Sequence, residues 1–326
     1  MTKVIVLKAL DLLVVLMFHQ LMMWPVSISP CRKSRFFSKY VQGQPVLQLV
    51  FQSLGLSSLF GVDHKRQKHA GKILVAYLTS QSRQELCWSW VKSPSCMGVF
   101  CAPPCGTCSR ARGIPIKLAN GVKIAGPQPL RTDQQPDGVK YMSYVNKIRV
   151  SQANILYKFV TDVALFCIDA GMIVAIENPR SSLYWKTSFF APLRKYLKFT
   201  EHQACAYGSE RPKWTALAHN TVALTKLCKC CPGVSSQHKH KPWGMVTGPD
   251  ATRKFSTAEE TAYSMPLAYA IAFHLAQELM SRGWQPPAIE FATPDNVSYH
   301  YLGQQLQAEW NGIPPGSRLL TIPPLR

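Results

Sequence analysis

Two prolines and a cysteine follow an apolar run in the sequence Phe100-Cys101-Ala102-Pro103-Pro104-Cys105. Proline fixes φ and lacks an amide donor, so the pair ends a strand and stiffens the loop that carries the cysteine. Arg110 and Arg112 follow closely, and neighbouring cations lower the pKa of a thiol. Cys105 is therefore the first candidate for a nucleophile. The alternative is a proline-stiffened loop in which the cysteines are structural.

A second group of reactive side chains lies in the basic segment 226–244, which reads KLCKCCPGVSSQHKHKPWG. A C-x-x-C followed by H-x-H offers four ligands to a tetrahedral zinc ion. The predicted ligands are Cys228, Cys231, His238 and His240, and the lysines around them would offset thiolate charge and meet phosphates. The alternative is a basic loop with reduced cysteines and no metal.

Composition favours a polyanionic partner. The chain has 326 residues and a formal net charge of +20, which favours nucleic acid first and an anionic membrane second. Its 11 cysteines are odd in number and clustered, which favours reduced thiols in the nucleus or cytoplasm. The sequence predicts no protein partner.

The first 26 residues complicate this assignment. Residues 4–26 are mostly apolar, but Lys8, Asp11, His19 and Gln20 interrupt them. A membrane-spanning helix needs an uninterrupted apolar run of about 18 residues or more. A signal peptide or membrane anchor, which would make the protein membrane-bound or secreted, is therefore one alternative, and an extra amphipathic helix is another.

The elements that would position these residues alternate between short apolar strands and longer helices. Strands are predicted at the end of Val46–Asp63, at Val75–Leu78, at Met97–Cys101 and at Met172–Ile176, with helices at Ser82–Val91 and Val145–Ala170. This alternation predicts an α/β fold with a mostly parallel sheet, which binds ligands at the carboxyl ends of its strands. Asp63, Cys105 and Glu177 all follow or end predicted strands, so one pocket could contain all three.

The sequence divides into five segments. An apolar and then basic extension covers 1–45, a catalytic core covers 46–213, and a Cys/His/Lys-rich insertion covers 214–255. A closing helix, capped by Ser256 or Thr257, is predicted at 256–281. A proline-rich tail follows at 282–326.

Three local motifs occur in order along this core. Ala102-Pro103-Pro104-Cys105 precedes Glu177-Asn178-Pro179, and Tyr207-Gly208-Ser209-Glu210-Arg211-Pro212-Lys213 comes last. Together they resemble the C5-cytosine DNA methyltransferases, and most closely a divergent branch found in viral, algal and mobile-element-associated sequences. The resemblance covers roughly residues 46 to 275.

The resemblance implies a Rossmann-like, S-adenosylmethionine-dependent methyltransferase sheet with a reduced recognition region in 214–255. It implies that Cys105 is the nucleophile, that Glu177 engages the target cytosine, and that Arg211 and Lys213 contact the base and its phosphates. Asp63 matches the ribose-binding acid, and Leu78 and Pro104 would line the cofactor site. DNA is the implied substrate, and RNA is left open.

One part of the family pattern is absent. The family carries a glycine-containing loop after its first strand, but upstream of Asp63 the expected segment offers only Gly43, Gly55 and Gly61. An alternative is therefore an inactive nucleic-acid-binding relic of a mobile element. A second alternative is a membrane-anchored protein that uses residues 4–26.

Overall fold

A mixed sheet with helices on both faces forms the centre of the protein. The computed structural model describes residues 12–17, 59–63, 73–75, 77–117, 123–247, 253–257 and 263–283. Within these residues, seven strands form one sheet in the order β3-β2-β1-β4-β7-β9-β8. The strands are β1 (Leu12–Met17), β2 (Leu59–Asp63), β3 (Ile73–Val75), β4 (Cys96–Ala102), β7 (Ile173–Pro179), β8 (Lys198–Gln203) and β9 (Trp214–His219).

The remaining regular elements are three helices and two short hairpins within the described residues. The helices are α1 (Gln81–Val91), α2 (Tyr144–Asp169) and α3 (Met265–Ser281). The hairpins pair β5 (Ile116–Lys117) with β6 (Lys123–Ile124), and β10 (Met245–Thr247) with β11 (Arg253–Phe255).

The predicted α/β class is confirmed, but the sheet is mixed. Strands β3, β2, β1, β4 and β7 pair in parallel. In the half formed by β4, β7, β9 and β8, one pairing is parallel and two are antiparallel. The prediction of a mostly parallel sheet is wrong for this half. The connection from β8 to β9 is too short for a parallel crossover, so β9 returns antiparallel.

Strand β1 corrects the interpretation of the N-terminal segment. Leu12–Met17 pairs in parallel with both β2 and β4. Part of the predicted 1–45 extension therefore belongs to the sheet, and these six residues form neither an extra helix nor an anchor. The remainder of 4–26 and the helix predicted within Val46–Asp63 lie outside the described residues. Among the helices described, none combines the length and apolar character needed to cross a bilayer.

Alternation along β4 and β7 divides the core into two layers. Val99 and Val174 face α1 and α2, whereas Phe100 and Ala175 face α3. Side chains alternate between the two faces of a strand, so Glu177, two residues after Ala175, faces the same side as α3. The closing helix thereby brings its first residues to Glu177.

Helix α3 begins later than predicted. Ser264 is its N-cap, and the Ser264 hydroxyl accepts a hydrogen bond from the Leu267 amide at 3.4 Å. Ser256 instead lies just after β11, where its hydroxyl accepts a hydrogen bond from the Gly244 amide at 3.0 Å. Ser256 and Thr257 are therefore not the cap. Pro266 near the start of α3 is compatible with a first helical turn, because that turn needs no amide donor.

A further correction concerns the predicted insertion. Strand β9 lies inside the segment 214–255 but sits in the sheet between β7 and β8. The insertion therefore begins only after His219.

The order of the strands in the sheet changes direction between β1 and β4. In doubly wound folds, ligands bind at the carboxyl edge of the sheet at such a point.

Candidate active site

The Cys105 loop leaves the sheet at the end of β4. Pro103 is buried, Pro104 is half-buried, and neither can donate an amide to continue the ladder. The chain then turns, and the Cys108 amide donates to the Cys105 carbonyl at 3.0 Å. Cys105 is half-buried, whereas Cys108 is fully buried. Cys105 is therefore the more accessible thiol of this C-x-x-C. Burial also raises the pKa of the Cys108 thiol.

Two buried side chains hold this loop through its carbonyl groups. Asn178 donates through Nδ2 to the Pro103 carbonyl at 2.8 Å. The Tyr157 hydroxyl donates to the Pro104 carbonyl at 2.6 Å. Beneath them, the buried Arg131 lies over the Tyr157 ring and donates to Thr107 Oγ1 at 3.1 Å. The loop is thus fixed from β7 and from α2, which sequence spacing alone did not reveal.

Replacing Asn178 with alanine is expected to lower the methyl transfer that the sequence resemblance implies by about a hundredfold, because a displacement of about 1 Å at a reacting group can cost that much. The change removes the bond to Pro103 and frees the Cys105 loop. Initial rates measured at saturating methyl donor and DNA test this expectation.

Asn220→Ala is the matched control. Asn220 bonds the other end of β7, where it accepts from the Val174 amide and donates to the Met172 carbonyl, both at 2.8 Å. Its loss destabilises the same strand without touching the Cys105 loop. Equal rate losses in the two variants would show that Asn178 acts only through stability.

Glu177 presents a buried carboxylate next to this loop. Its side chain is 9% exposed, and Oε1 has no hydrogen-bond partner among the described residues. Burial raises the pKa of Glu177, and the nearby Lys213 ammonium and Tyr263 hydroxyl partly oppose that rise. A buried oxygen without a partner is costly, and a ligand that hydrogen-bonds it would remove this cost.

Tyr263 lies near Glu177. Its pKa is raised by burial first, then by the Glu177 carboxylate, and least by Cys105. Its ring packs edge-on against Phe100 of β4, with centroids 6.3 Å apart. Tyr263 directly precedes the N-cap of α3. Sequence reasoning missed it because the helix was predicted to begin several residues earlier.

The predicted basic pair separates into two environments. Lys213 is half-buried, and its charge acts on both Glu177 and His202. Arg211 is only 2% exposed, lies beside the Trp243 ring and donates through Nε to the Pro242 carbonyl at 3.1 Å. The structure therefore places Lys213 in the site, whereas Arg211 joins two loops from a buried position.

The two arginines after Cys105, predicted to lower the pKa of its thiol, contact different partners. Arg110 makes a two-pronged ion pair with Asp133, at 2.8 and 2.6 Å. Arg112 donates through Nε to the Gln128 carbonyl at 3.1 Å. Both side chains therefore have partners elsewhere. Among the described residues, the charge of Lys213 acts on Glu177 in this site.

The predicted cofactor residues lie along the carboxyl edge of the sheet. Asp63 is the last residue of β2, which is two strands from β4 and therefore about 10 Å away. Pro104 is half-buried, and Tyr157 occupies its carbonyl. Leu78 is only 3% exposed, so its side chain belongs to the core. Asp63 and Pro104 thus flank the switch point, whereas the Leu78 side chain does not reach it.

The Cys/His cluster differs from its prediction in one ligand. Cys205, Cys231, His238 and His240 place their ligand atoms within 4.8 Å of one another, so the group could hold a metal ion. Cys228, the predicted fourth ligand, is exposed and not part of the group. Cys205 replaces it because the turn Ala204–Tyr207 is bonded to the loop, with the Tyr207 hydroxyl donating to the Leu227 carbonyl at 2.9 Å. A local spacing pattern cannot include a residue 26 positions upstream.

Comparison with known proteins gives only weak structural similarity. No protein-family model matches the chain, and no curated protein matches it. Among solved structures, the chain is similar to a triple mutant of Spodoptera frugiperda DNMT2, with 12% identity and a TM-score of 0.29. The match covers 64% of this chain and 50% of that one, so this chain spans about half of that structure. The proposals below therefore depend on the chain's own residues.

Proposed function

We propose that the protein is a methyltransferase-like enzyme that transfers a methyl group to C5 of cytosine in DNA through a covalent adduct with Cys105. The observation that carries this proposal is that Cys105 follows β4 while Glu177 lies on the neighbouring β7, and that Asn178, next to Glu177, donates to Pro103 of the Cys105 loop at 2.8 Å. The three motifs of the sequence resemblance support it, since two of them supply these residues.

The chemistry requires a thiolate and a hydrogen-bonding carboxyl group. The Cys105 sulfur would form a bond to cytosine C6, which would make C5 nucleophilic enough to take the methyl group of S-adenosylmethionine, whose methyl–sulfur bond would break and release S-adenosylhomocysteine. Loss of the C5 proton to a base and cleavage of the C6–sulfur bond then restore the thiolate and the aromatic ring. Asn178 and Tyr157 position the loop that carries Cys105.

Glu177 is suited to the charge that develops on the ring during this addition. Electron density moves onto cytosine N3 when the thiolate adds, and a carboxyl group that donates a proton or hydrogen bond there stabilises it. The raised pKa of Glu177 favours the protonated, donating form. Oε1, buried and without a partner among the described residues, is available to such a ligand.

S-adenosylmethionine would supply the methyl group when bound. Asp63 at the end of β2 fits a ribose-binding acid, and it lies on the same edge as Cys105. The segment that follows β1 is different: residues 18–42 contain no glycine. The close backbone approach that glycine usually permits at a nucleotide cofactor must therefore come from other residues.

DNA is the proposed substrate because of charge and geometry. The net charge of +20 favours a polyanion. A target base must leave the stack to reach a half-buried thiol, and Lys213 lies beside the carboxylate that would receive it.

The absent glycine loop favours one alternative, an inactive nucleic-acid-binding protein that keeps the sheet and the basic surface. The membrane-anchored alternative is weaker, because an anchor built from residues 4–26 would have to withdraw β1 from between β2 and β4.

The test is transfer of labelled methyl from S-adenosylmethionine to a cytosine-containing duplex. We expect incorporation into this duplex and none into a duplex in which every cytosine is already 5-methylcytosine. RNA of the same sequence is the parallel substrate. Incorporation into RNA alone would contradict the DNA assignment. Binding of DNA with a steep salt dependence, but without cofactor binding or transfer, would favour the inactive alternative.

A further inference from the structure

We propose that Cys205, Cys231, His238 and His240 form a structural zinc site that fastens the Cys/His-rich loop to the segment carrying Lys213. Cys231 and the H-x-H pair His238 and His240 lie in this loop, whereas Cys205 comes from an earlier part of the chain. This inference is independent of the proposed reaction, because it depends only on the geometry of four side chains.

The ligand atoms have the spacing of a tetrahedral site. His238 Nε2 and His240 Nε2 lie 3.3 and 3.5 Å from Cys231 Sγ, and they are 3.0 Å from each other. Zinc bonds of about 2.3 Å to sulfur and about 2.0 Å to nitrogen place tetrahedral sulfur and nitrogen about 3.5 Å apart, and two nitrogens about 3.3 Å apart. The observed distances therefore leave room for one zinc ion at the centre.

Backbone and side-chain hydrogen bonds already orient the ligands. The Gly233 amide donates to Cys231 Sγ at 3.3 Å. The Cys231 amide donates to Gln203 Oε1 at 2.8 Å. Ser235 closes a tight turn by accepting from the His238 amide at 3.0 Å. The site is thus prearranged by the loop and by the end of β8.

The donor set selects the metal and its role. Two thiolates and two imidazoles in a tetrahedron are typical of zinc, and four protein ligands leave no open position for a substrate. Cys205 is buried and the other three ligands are half-buried, as in a closed site. We therefore assign the ion a structural role.

The site lies where it can hold the segment Tyr207–Lys213 in place. Cys205 lies two residues before this segment, and the Cys/His-rich loop contacts the segment again near its other end. There the Lys241 amide donates to the Glu210 carbonyl at 2.8 Å, and Arg211 donates to Pro242. A zinc ion bound to Cys205 and His240 would thus fix both ends of the contact.

The full chain, purified without added chelator, is expected to contain about one zinc ion per molecule by elemental analysis. Cys205→Ser is expected to lose nearly all of it on dialysis against a weak chelator, because half of the thiolate donors are removed. Cys228→Ser is the matched control, since Cys228 is an exposed cysteine of the same loop, and it is expected to retain the wild-type zinc content. Zinc loss in Cys228→Ser, or full retention in Cys205→Ser, would overturn the assignment.

A second pair of variants separates metal binding from misfolding. His238→Cys keeps a tetrahedral donor set and is expected to retain zinc, whereas His238→Ala is expected to lose it. With cobalt in place of zinc, His238→Cys should strengthen the thiolate-to-cobalt charge-transfer band. Trypsin cleavage after the exposed Lys239 should accelerate in every variant that loses the metal. Unchanged cleavage in a metal-free variant would contradict the fastening role.

Discussion

Replacing Cys105 with serine is expected to abolish methyl transfer, by at least about a thousandfold, together with every covalent bond between the chain and DNA. A thiol ionises far more readily than a serine hydroxyl, which does not ionise without a dedicated base. The measurement uses a duplex that contains 5-fluorocytosine. Fluorine occupies the position from which the C5 proton must leave, so the adduct accumulates and survives denaturing electrophoresis.

Cys230→Ser is the control for this experiment, because Cys230 is exposed and lies outside the metal-ligand group. It should trap DNA as the wild type does. An adduct in Cys105→Ser would move the nucleophile to another residue. A wild-type chain that binds both DNA and cofactor but forms no adduct would contradict the covalent mechanism itself.

The parts of the fold that depend on local pattern could be predicted from the sequence. Helix α2 was expected at Val145–Ala170 and spans Tyr144–Asp169, since its apolar residues recur at three- and four-residue spacing. Strand β4 ends where two prolines follow it. In both cases a single stretch of sequence contains the whole signal.

The parts that depend on distant partners could not. From sequence alone, the segment that forms strand β1 could be taken for the start of a membrane anchor. An apolar run predicts that a segment is buried, but it does not show whether protein or lipid surrounds it. Strand β9 comes shortly before the Lys-rich segment 226–244 and was assigned to the insertion, yet its register with Glu177 and Asn178 places it in the sheet. A strand shows its neighbours only once the chain has folded.

The same distinction between local patterns and distant contacts applies to the candidate site. Cys105 and Glu177 follow recognisable strand ends, so sequence could identify them. Asn178, Tyr157 and Tyr263 act through contacts that span 50 residues or more, such as the bond from Asn178 to Pro103 across 75 positions. The fourth metal ligand, Cys205, was missed for the same reason.

Glu177→Gln is expected to change activity and stability in opposite directions. Methyl transfer should fall by about a hundredfold to a thousandfold, because an amide cannot supply the acidic hydrogen bond that stabilises charge at N3. The free energy of unfolding near pH 8 should rise, because glutamine removes a buried charge. Steady-state rates and thermal unfolding of the same preparations measure the two effects.

The pH dependence of stability identifies the buried charge as the cause. Burial raises the folded-state pKa of Glu177 above its ordinary value of about 4.5. A carboxyl group shifted this way contributes stability below its unfolded pKa and loses that contribution as the pH rises through the folded pKa. The stability difference between Glu177→Gln and wild type should therefore be small at pH 4 and grow towards pH 8. Glu201→Gln, which changes a half-exposed carboxylate on β8, should show no such growth, because solvent screens its pairing with Arg180. A Glu177→Gln variant that is less stable than wild type at pH 8 would mean that the carboxylate stabilises the fold, and it would remove the physical basis for its role as a proton donor to the base.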